Sequence, residues 1–407
     1  MNLLAYILCL TGIISLVVIQ LIKKEDKDFI EILVSSMSLY LVIISLVSVV
    51  FLLFRSYSSV IVLAVSSFLI IIYTIYYLFF EYKNKVKNIN LFKLSLGSLL
   101  VLGFVITMII FVGGRYEFIQ LTGDAGVYSV SAMNLEKNGK LISKLEVREN
   151  LSDELKKIYD KDNLLYFNPN TKNGSYLPGI YLESNSEGEL SYYYQFYPVW
   201  PIMMSVFSSI FGQDNQHYIL VVFYVLLVFL LYYSLIKIGI SKLYSFMGVI
   251  LLGTSPLVIH FAKYPTSELF LLFLVMYCFY AITQNNYHNM IIAGLIITVF
   301  SLTHISTFMY LPILLLGLVF IYQKRIHHYF IFLITSFSGF LISIPYGYYV
   351  SKRYFLDIYN MNFARFYGEK SLQFGILTVT FLGGVGLIFS LIGFFQKYNY
   401  KGELNHD

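Results

Sequence analysis

Apolar residues run along this chain in long unbroken stretches rather than in alternation, and such stretches recur over most of its length. A helix needs about 20 apolar residues to cross a hydrocarbon layer of about 30 Å. By that measure eleven spans are expected, over residues 3–22, 31–54, 59–80, 92–113, 217–236, 243–260, 267–284, 288–303, 305–322, 329–348 and 372–396. In lipid the backbone N–H and C=O groups have to be satisfied inside each segment, which a helix does by itself. The short alternating strands of a membrane barrel are absent from the pattern. The expected fold is therefore an all-α polytopic membrane protein of about eleven helices, with a large extracytoplasmic loop that contains short interfacial helices.

The polar interruptions orient this bundle. Lys23, Lys24 and Lys27, then Lys83, Lys85 and Lys87, then Lys237 and Lys242, then Lys324 and Arg325 all fall on one side, which the positive-inside tendency makes cytoplasmic. The amino terminus is then outside, the carboxy terminus inside, and the expected location is the plasma membrane. The first run has no basic residue before it and no small-residue cleavage signal after it, so it reads as a retained span. Two long polar segments, 114–218 and 349–371, come to lie on the extracytoplasmic side. The first is too long for a connector and reads as functional. It holds the helix-prone "ENLSDELKKIYDKDN" and the turn-rich "NPNTKNGSYLPG". Near its end, "SYYYQFYPVWPIMMSVFSSIFG" sets aromatics and prolines before an apolar stretch of about ten residues, too short to span and suited to a helix lying at the interface. Three parts follow: an amino-terminal module of three spans over 1–90, a core over 91–350 with the loop 114–217, and a last segment over 351–407.

Composition sharpens the class. Of 407 residues 58% are hydrophobic, 18% aromatic and only 13% charged, and the mean hydropathy is +0.71, which excludes an ordinary soluble domain. The net charge of +5 matters through its placement and implies no nucleic-acid partner. Cys9 and Cys278 are the only cysteines and both fall inside apolar runs, so neither a disulfide framework nor a zinc site is encoded. Membrane lipid is the partner that the composition requires.

Candidate chemistry starts at "GDAGVYSVSAMNLEKNGKL". Tyr128, Ala132 and Leu135 are spaced i, i+4, i+7, which predicts a helix ending near Gly139, with Asp124 at its head. A carboxylate there caps free N–H groups. Held at a membrane surface it also suits a general base toward an acceptor hydroxyl, and the two roles can coexist. Glu268, at the start of a span, is either a first-turn acid favoured by the helix dipole or an acid facing a site. Lys263, Lys352, Arg353 and Arg365 lie on the extracytoplasmic side, as snorkelling anchors or as phosphate partners, a role for which the planar fork of Arg is the better match. His260 and His304 read as interfacial residues. No acid or histidine pair has metal-ligand spacing, which leaves room for a divalent metal without assigning it ligands. Within "YYYQFYPVW", Tyr194, Gln195 and Trp200 are the residues to weigh as a sugar-stacking floor against plain packing.

The order of these features resembles the C-type membrane glycosyltransferases, the group that includes protein O-mannosyltransferases and aminoarabinose transferases. The shared order is a span, then "GDAGVYSVSAMNLEKNGKL", a long external loop, "QFYPVWPIMMSVFSSIFGQDN", a span, then "LGTSPLVIHFAKYPTSELFLLFLVMY", over roughly residues 95–350. The resemblance implies a sugar donor carried on a polyprenyl phosphate, transfer with inversion to an acceptor hydroxyl of a protein, lipid or glycan, and Asp124 as the catalytic base. Glu268 is a second catalytic candidate; Tyr128, Lys263, Arg353, Arg365, Tyr194, Gln195 and Trp200 are the substrate-binding candidates. Two departures stand out: Ala125 follows Asp124 where many members carry a second acid, and three spans precede the motif where the simplest members have one. Two other readings fit a polytopic chain with large external loops. A polysaccharide polymerase would lean on external arginines such as Arg353 and Arg365. A lipid-linked sugar transporter or flippase would show repeated halves or broken helices.

Overall fold

The computed structural model describes residues 2–22, 27–81, 94–112, 124–144, 152–154, 173–177, 179–184, 190–284, 286–304 and 326–359. Helices α1 (Leu3–Ile22), α2 (Phe29–Leu53), α3 (Ser59–Tyr76, continued by a π turn over Tyr77–Glu81) and α4 (Leu96–Val112) come first, followed by α5 (Asp124–Asn138). Strands β1 (Ile142–Lys144), β2 (Asn173–Leu177), β3 (Ile180–Ser184) and β4 (Leu190–Tyr194) precede α6 (Val199–Phe211) and α7 (Ile219–Lys237). Then come α8 (Lys242–Gly253), α9 (Pro256–Lys263), α10 (Glu268–Thr283), α11 (Tyr287–Thr303), α12 (Ile326–Val350) and α13 (Lys352–Tyr359).

The chain is predominantly helical, with apolar helices long enough to cross a membrane: Leu3–Ile22, Phe29–Leu53, Ser59–Phe80, Gln213–Lys237 and Phe330–Val350. The run expected over 243–260 is instead two helices, α8 and α9, bent by 57°. The break falls at the sequence Gly253-Thr254-Ser255-Pro256, where proline lacks an N–H and its ring disfavours a continuous helix. Counted as one span, the pair brings the number of such spans among the described residues to six. Helices α4, α10 and α11, of 17, 16 and 17 residues, are apolar but shorter. The spans expected over 305–322 and 372–396 lie outside the described residues.

Two compact units divide the chain, Met1–Phe273 and Leu274–Asp407. In the first, α1, α2 and α3 meet along a seam of small and polar residues, the usual way for helices to approach closely in an apolar setting. Gly12 faces the Tyr40 ring, Tyr40 shares a hydrogen bond of 2.9 Å with Ser67, and Ser67 donates to the Leu8 carbonyl at 2.7 Å. Gln20 accepts from Ser35 at 2.8 Å and donates to Ser36 at 3.1 Å.

Asp28 ties this layer to α4 and α7. Its carboxylate caps α2 by accepting from the amides of Ile30 (2.8 Å) and Glu31 (3.1 Å). It also accepts from the Ser95 amide (3.2 Å) and hydroxyl (3.0 Å) at the head of α4, from the Ser98 hydroxyl, and from Tyr233 of α7 (3.0 Å). Burial pushes this carboxyl up, but the donors from Ser98, Glu31 and Ser95 outweigh it and hold Asp28 below the ordinary carboxylate range. One turn on, buried Glu31 pairs with Lys237 at 3.4 Å.

Helix α6 is buried over most of its length, without a break from Val199 to Val206, and packs among α1, α2, α3, α5 and α7. The interfacial placement expected for it does not hold: its serine face meets protein rather than headgroups, with Ser205 bonded to Tyr57 and Ser59 and Ser208 to Glu136. The loop after α5 also differs from expectation, because it holds an antiparallel sheet in the order β1-β4-β3-β2. Tyr192 and Tyr194 alternate with Tyr193 along β4, where the tyrosines ahead of α6 supply strand propensity.

In the second unit α11 and α12 lock together through reciprocal notches. Thr335 sits against Gly294 and Thr298 against Gly339; a Cβ on either glycine would lie 2.1 or 1.9 Å from the facing hydroxyl oxygen. Both steps are four residues in the same direction, so the two helices run parallel.

Asp28→Asn is expected to cost about 2–4 kcal/mol at neutral pH, read as a lower Tm in detergent, because Asn cannot accept from all these buried donors. The lowered pKa makes this contribution present above the unfolded value of about 3.9 and lost as pH falls through the folded value. Wild-type Tm should therefore drop more steeply than that of the variant below about pH 4. Gly339→Val should destabilise by about 1–3 kcal/mol through overpacking, measured in the same way.

Candidate functional site

Stretches distant in sequence meet around the first turns of α5. Asp124 is the first residue of this helix and is exposed. One turn later Tyr128 is buried, its ring stacked on Phe196 with centroids 4.5 Å apart and its hydroxyl 3.4 Å from the Ser267 hydroxyl. Val127 packs against Ile180 of β3 and Tyr194 of β4, which seats the sheet on α5. That seat needs glycine at 179: its φ is +82°, and a Cβ there would lie 2.5 Å from Val127 Cγ2. The Gln195 amide donates to the Gly179 carbonyl at 2.9 Å, carrying the chain from the sheet to Phe196.

Four residues on, Trp200 opens α6 with 0% exposure. Its ring lies against Phe223 and Phe270, with centroids 5.9 and 5.8 Å away, and its indole N–H donates to the Pro265 carbonyl at 3.2 Å. A buried indole N–H needs such an acceptor, and the acceptor fixes the turn over residues 264–268. Within that turn the Tyr264 amide donates to His260 (3.0 Å), the Thr266 amide to Tyr264 (2.7 Å), and Ser267 offers its carbonyl to Leu271 (2.9 Å) to start α10. The far end of α5 is held as well. Glu136 accepts a hydrogen bond from Ser208 of α6, and Tyr57 shares its hydroxyl with Ser59 and Ser205 at 3.1 Å each. Burial pushes the Tyr57 phenol up to about 12.

The expected site residues fall as follows. Asp124 and Tyr128 share α5; Tyr194 and Gln195 sit at the end of β4; Trp200 pins the turn; Lys263, half-buried, ends α9 and exposed Glu268 begins α10 on either side of that turn. Tyr194 is buried against α5, and burial, then its neighbour Tyr192, raises its phenol pKa. Trp200 has no exposed face, so its part is to fix the turn. Arg353 belongs to α13 with its side chain outside the described residues, and Arg365 lies outside them altogether. Its neighbour Lys352 is exposed, 5.4 Å over the Tyr348 ring. His260 stacks on Tyr264 at 5.3 Å, and the His304 amide closes α11 on the Phe300 carbonyl. Phe196, Thr266 and Ser267 belong to the same junction without having been singled out in the sequence; the spacing of "QFYP" and "YPTSE" carried them, but nothing in the sequence says that the two segments touch.

Among the described residues no three His, Cys, Asp or Glu side chains cluster as a metal site would require. Comparison of the chain with protein families, with characterised proteins and with solved structures finds no match in any of the three.

Trp200→Phe keeps most of the ring packing and removes the donor to Pro265. It is expected to lower stability by about 2 kcal/mol, from an unmet buried carbonyl and a small void, read by thermal unfolding in detergent.

Proposed function

We propose that this chain is a glycosyltransferase of the C type, moving a sugar from a polyprenyl phosphate to an acceptor hydroxyl. The observation that carries the reading is the junction of three segments whose sequence order suggested it: Tyr128 of α5 on Phe196 (4.5 Å) and Ser267 (3.4 Å), and Trp200 on Pro265 (3.2 Å). Asp124 stands exposed one turn from that junction, while Ala125 to Ser129 are buried.

In this reading the acceptor oxygen forms a bond to the anomeric carbon from the face opposite the phosphate. The bond from that carbon to the phosphate oxygen breaks, and the sugar is inverted through an oxocarbenium-like transition state. Asp124 takes the proton from the acceptor hydroxyl, and the polyprenyl phosphate leaves with the bonding electron pair. Lys263 supplies positive charge toward that leaving phosphate, a role for which Arg353 and Arg365 are candidates by sequence order alone. The chain would cross the plasma membrane about eleven times with 114–218 outside, so that donor lipid, water and acceptor meet at the head of α5.

The bend between α8 and α9 favours a transporter, since broken helices line many transport sites. Transfer of labelled sugar separates the readings. Membranes carrying the wild type are expected to transfer mannose, glucose or aminoarabinose from its polyprenyl phosphate, and Asp124→Asn to lose about 10²-fold or more while still binding the donor. Equal transfer by the variant would remove Asp124 from catalysis, and sugar crossing the bilayer without covalent transfer would establish the transporter.

A further inference from the structure

Threonine hydroxyls in the helices of this protein are satisfied by the carbonyl one turn back, as in Thr74 on Ile70 (2.8 Å), Thr298 on Gly294 (3.0 Å) and Thr303 on Val299 (2.7 Å). Thr266 lies in the turn before α10 and does otherwise. It is 3% exposed, its amide is spent on Tyr264, and its Oγ1 has no hydrogen-bond partner among the described residues. Buried hydroxyls are rarely left in this state, and each one calls for an explanation.

Its surroundings hold further unspent hydrogen-bonding capacity. Among the described residues the Ser267 hydroxyl makes only a long contact of 3.4 Å with Tyr128. The first bond of α10 runs from Leu271 to Ser267, so the amides of Glu268, Leu269 and Phe270 are that helix's orphan donors. Lys263 and Glu268 flank the turn with one charge of each sign. A neutral ligand that both donates and accepts suits the set of hydroxyls, amides and carboxylate, and the stacked Tyr128 and Phe196 rings beside it offer an apolar wall.

We infer that the turn 264–268 is a binding site for sugar hydroxyls, with Thr266 as a substrate-contacting residue whose hydroxyl is completed by a hydroxyl of the glycosyl group. The inference rests on the glycosyltransferase reading and adds the residues that recognise the sugar.

The test uses the full-length protein in nanodiscs, with thermal unfolding recorded in the presence of mannosyl-, glucosyl- or aminoarabinosyl-polyprenyl phosphate, of polyprenyl phosphate alone, or of the corresponding methyl glycosides. Without ligand, Thr266→Val should unfold at the wild-type temperature or a degree or two above it, since an isosteric apolar group replaces an unpartnered hydroxyl. The wild type should gain an extra rise in Tm from the sugar, over that given by polyprenyl phosphate; Thr266→Val should lose that extra rise and Thr266→Ser should keep it. A rise confined to the lipid-linked sugars identifies the donor sugar as the ligand, and one seen with methyl glycosides identifies the acceptor. A sugar-dependent rise that survives in Thr266→Val, or a Tm lowered by several degrees without ligand, would overturn the assignment of Thr266 and leave the glycosyltransferase reading intact. No sugar-dependent rise in the wild type would overturn the sugar site, and the transfer assay on Asp124 then decides the broader reading on its own.

Discussion

A helix of thirteen residues reaches about 20 Å, too short to cross a membrane, yet α6 sits enclosed in protein, so its buried serines Ser205 and Ser208 have to find hydrogen-bond partners inside the fold. The surrounding helices meet that demand. Helices α1, α2, α3, α5 and α7 all pack against α6, with Tyr57 and Ser59 meeting Ser205 and Glu136 meeting Ser208. The Asn2 amide reaches the Ile210 carbonyl at 3.3 Å, and Ser45 reaches the Met203 sulfur at 3.5 Å. The leading three helices thus have a structural part in the same compact unit as the candidate site: they wall in the helix whose first turn carries Trp200.

Polar groups in so apolar a chain are placed where they join elements rather than where they meet solvent. Asp28 collects donors from the heads of α2 and α4 and from α7, and Glu31 with Lys237 repeats the link from α2 to α7. The glycine and serine seams do the same by close approach. Fixed in this way, α6 and α7 present Trp200 and Phe223 to Phe270 and to the turn before α10. The position of that turn therefore follows from packing well away from Asp124.

Much of the helical architecture was legible from apolar run length, since α1, α2, α3 and α7 begin and end within a few residues of their expected limits. The head and end of α5, Asp124 and Gly139, were legible because capping and termination are local effects. The sheet was not: its strands pair residues as distant as Ile142 and Tyr193, and tyrosines serve an interface and a strand equally well. Nor was the burial of α6, since a short apolar helix after aromatics looks the same at an interface and in a core. At the candidate site, the sequence showed Tyr128, Trp200 and Glu268 as separate features, while the contacts of Tyr128 with Ser267 and of Trp200 with Pro265 depend on tertiary packing. Arg353 and Arg365 belong to the expected site by sequence order alone.

The central claim is that the first turns of α5 and the turn 264–268 form one site. Its most direct test is crosslinking in native membranes of Tyr128→Cys with Ser267→Cys, in a background where Cys9 and Cys278 are replaced by alanine, using a short bifunctional thiosulfonate read by mass spectrometry. A single intramolecular bridge between the two positions is predicted. Two cysteines that each react with the reagent but never share one molecule of it would contradict the account.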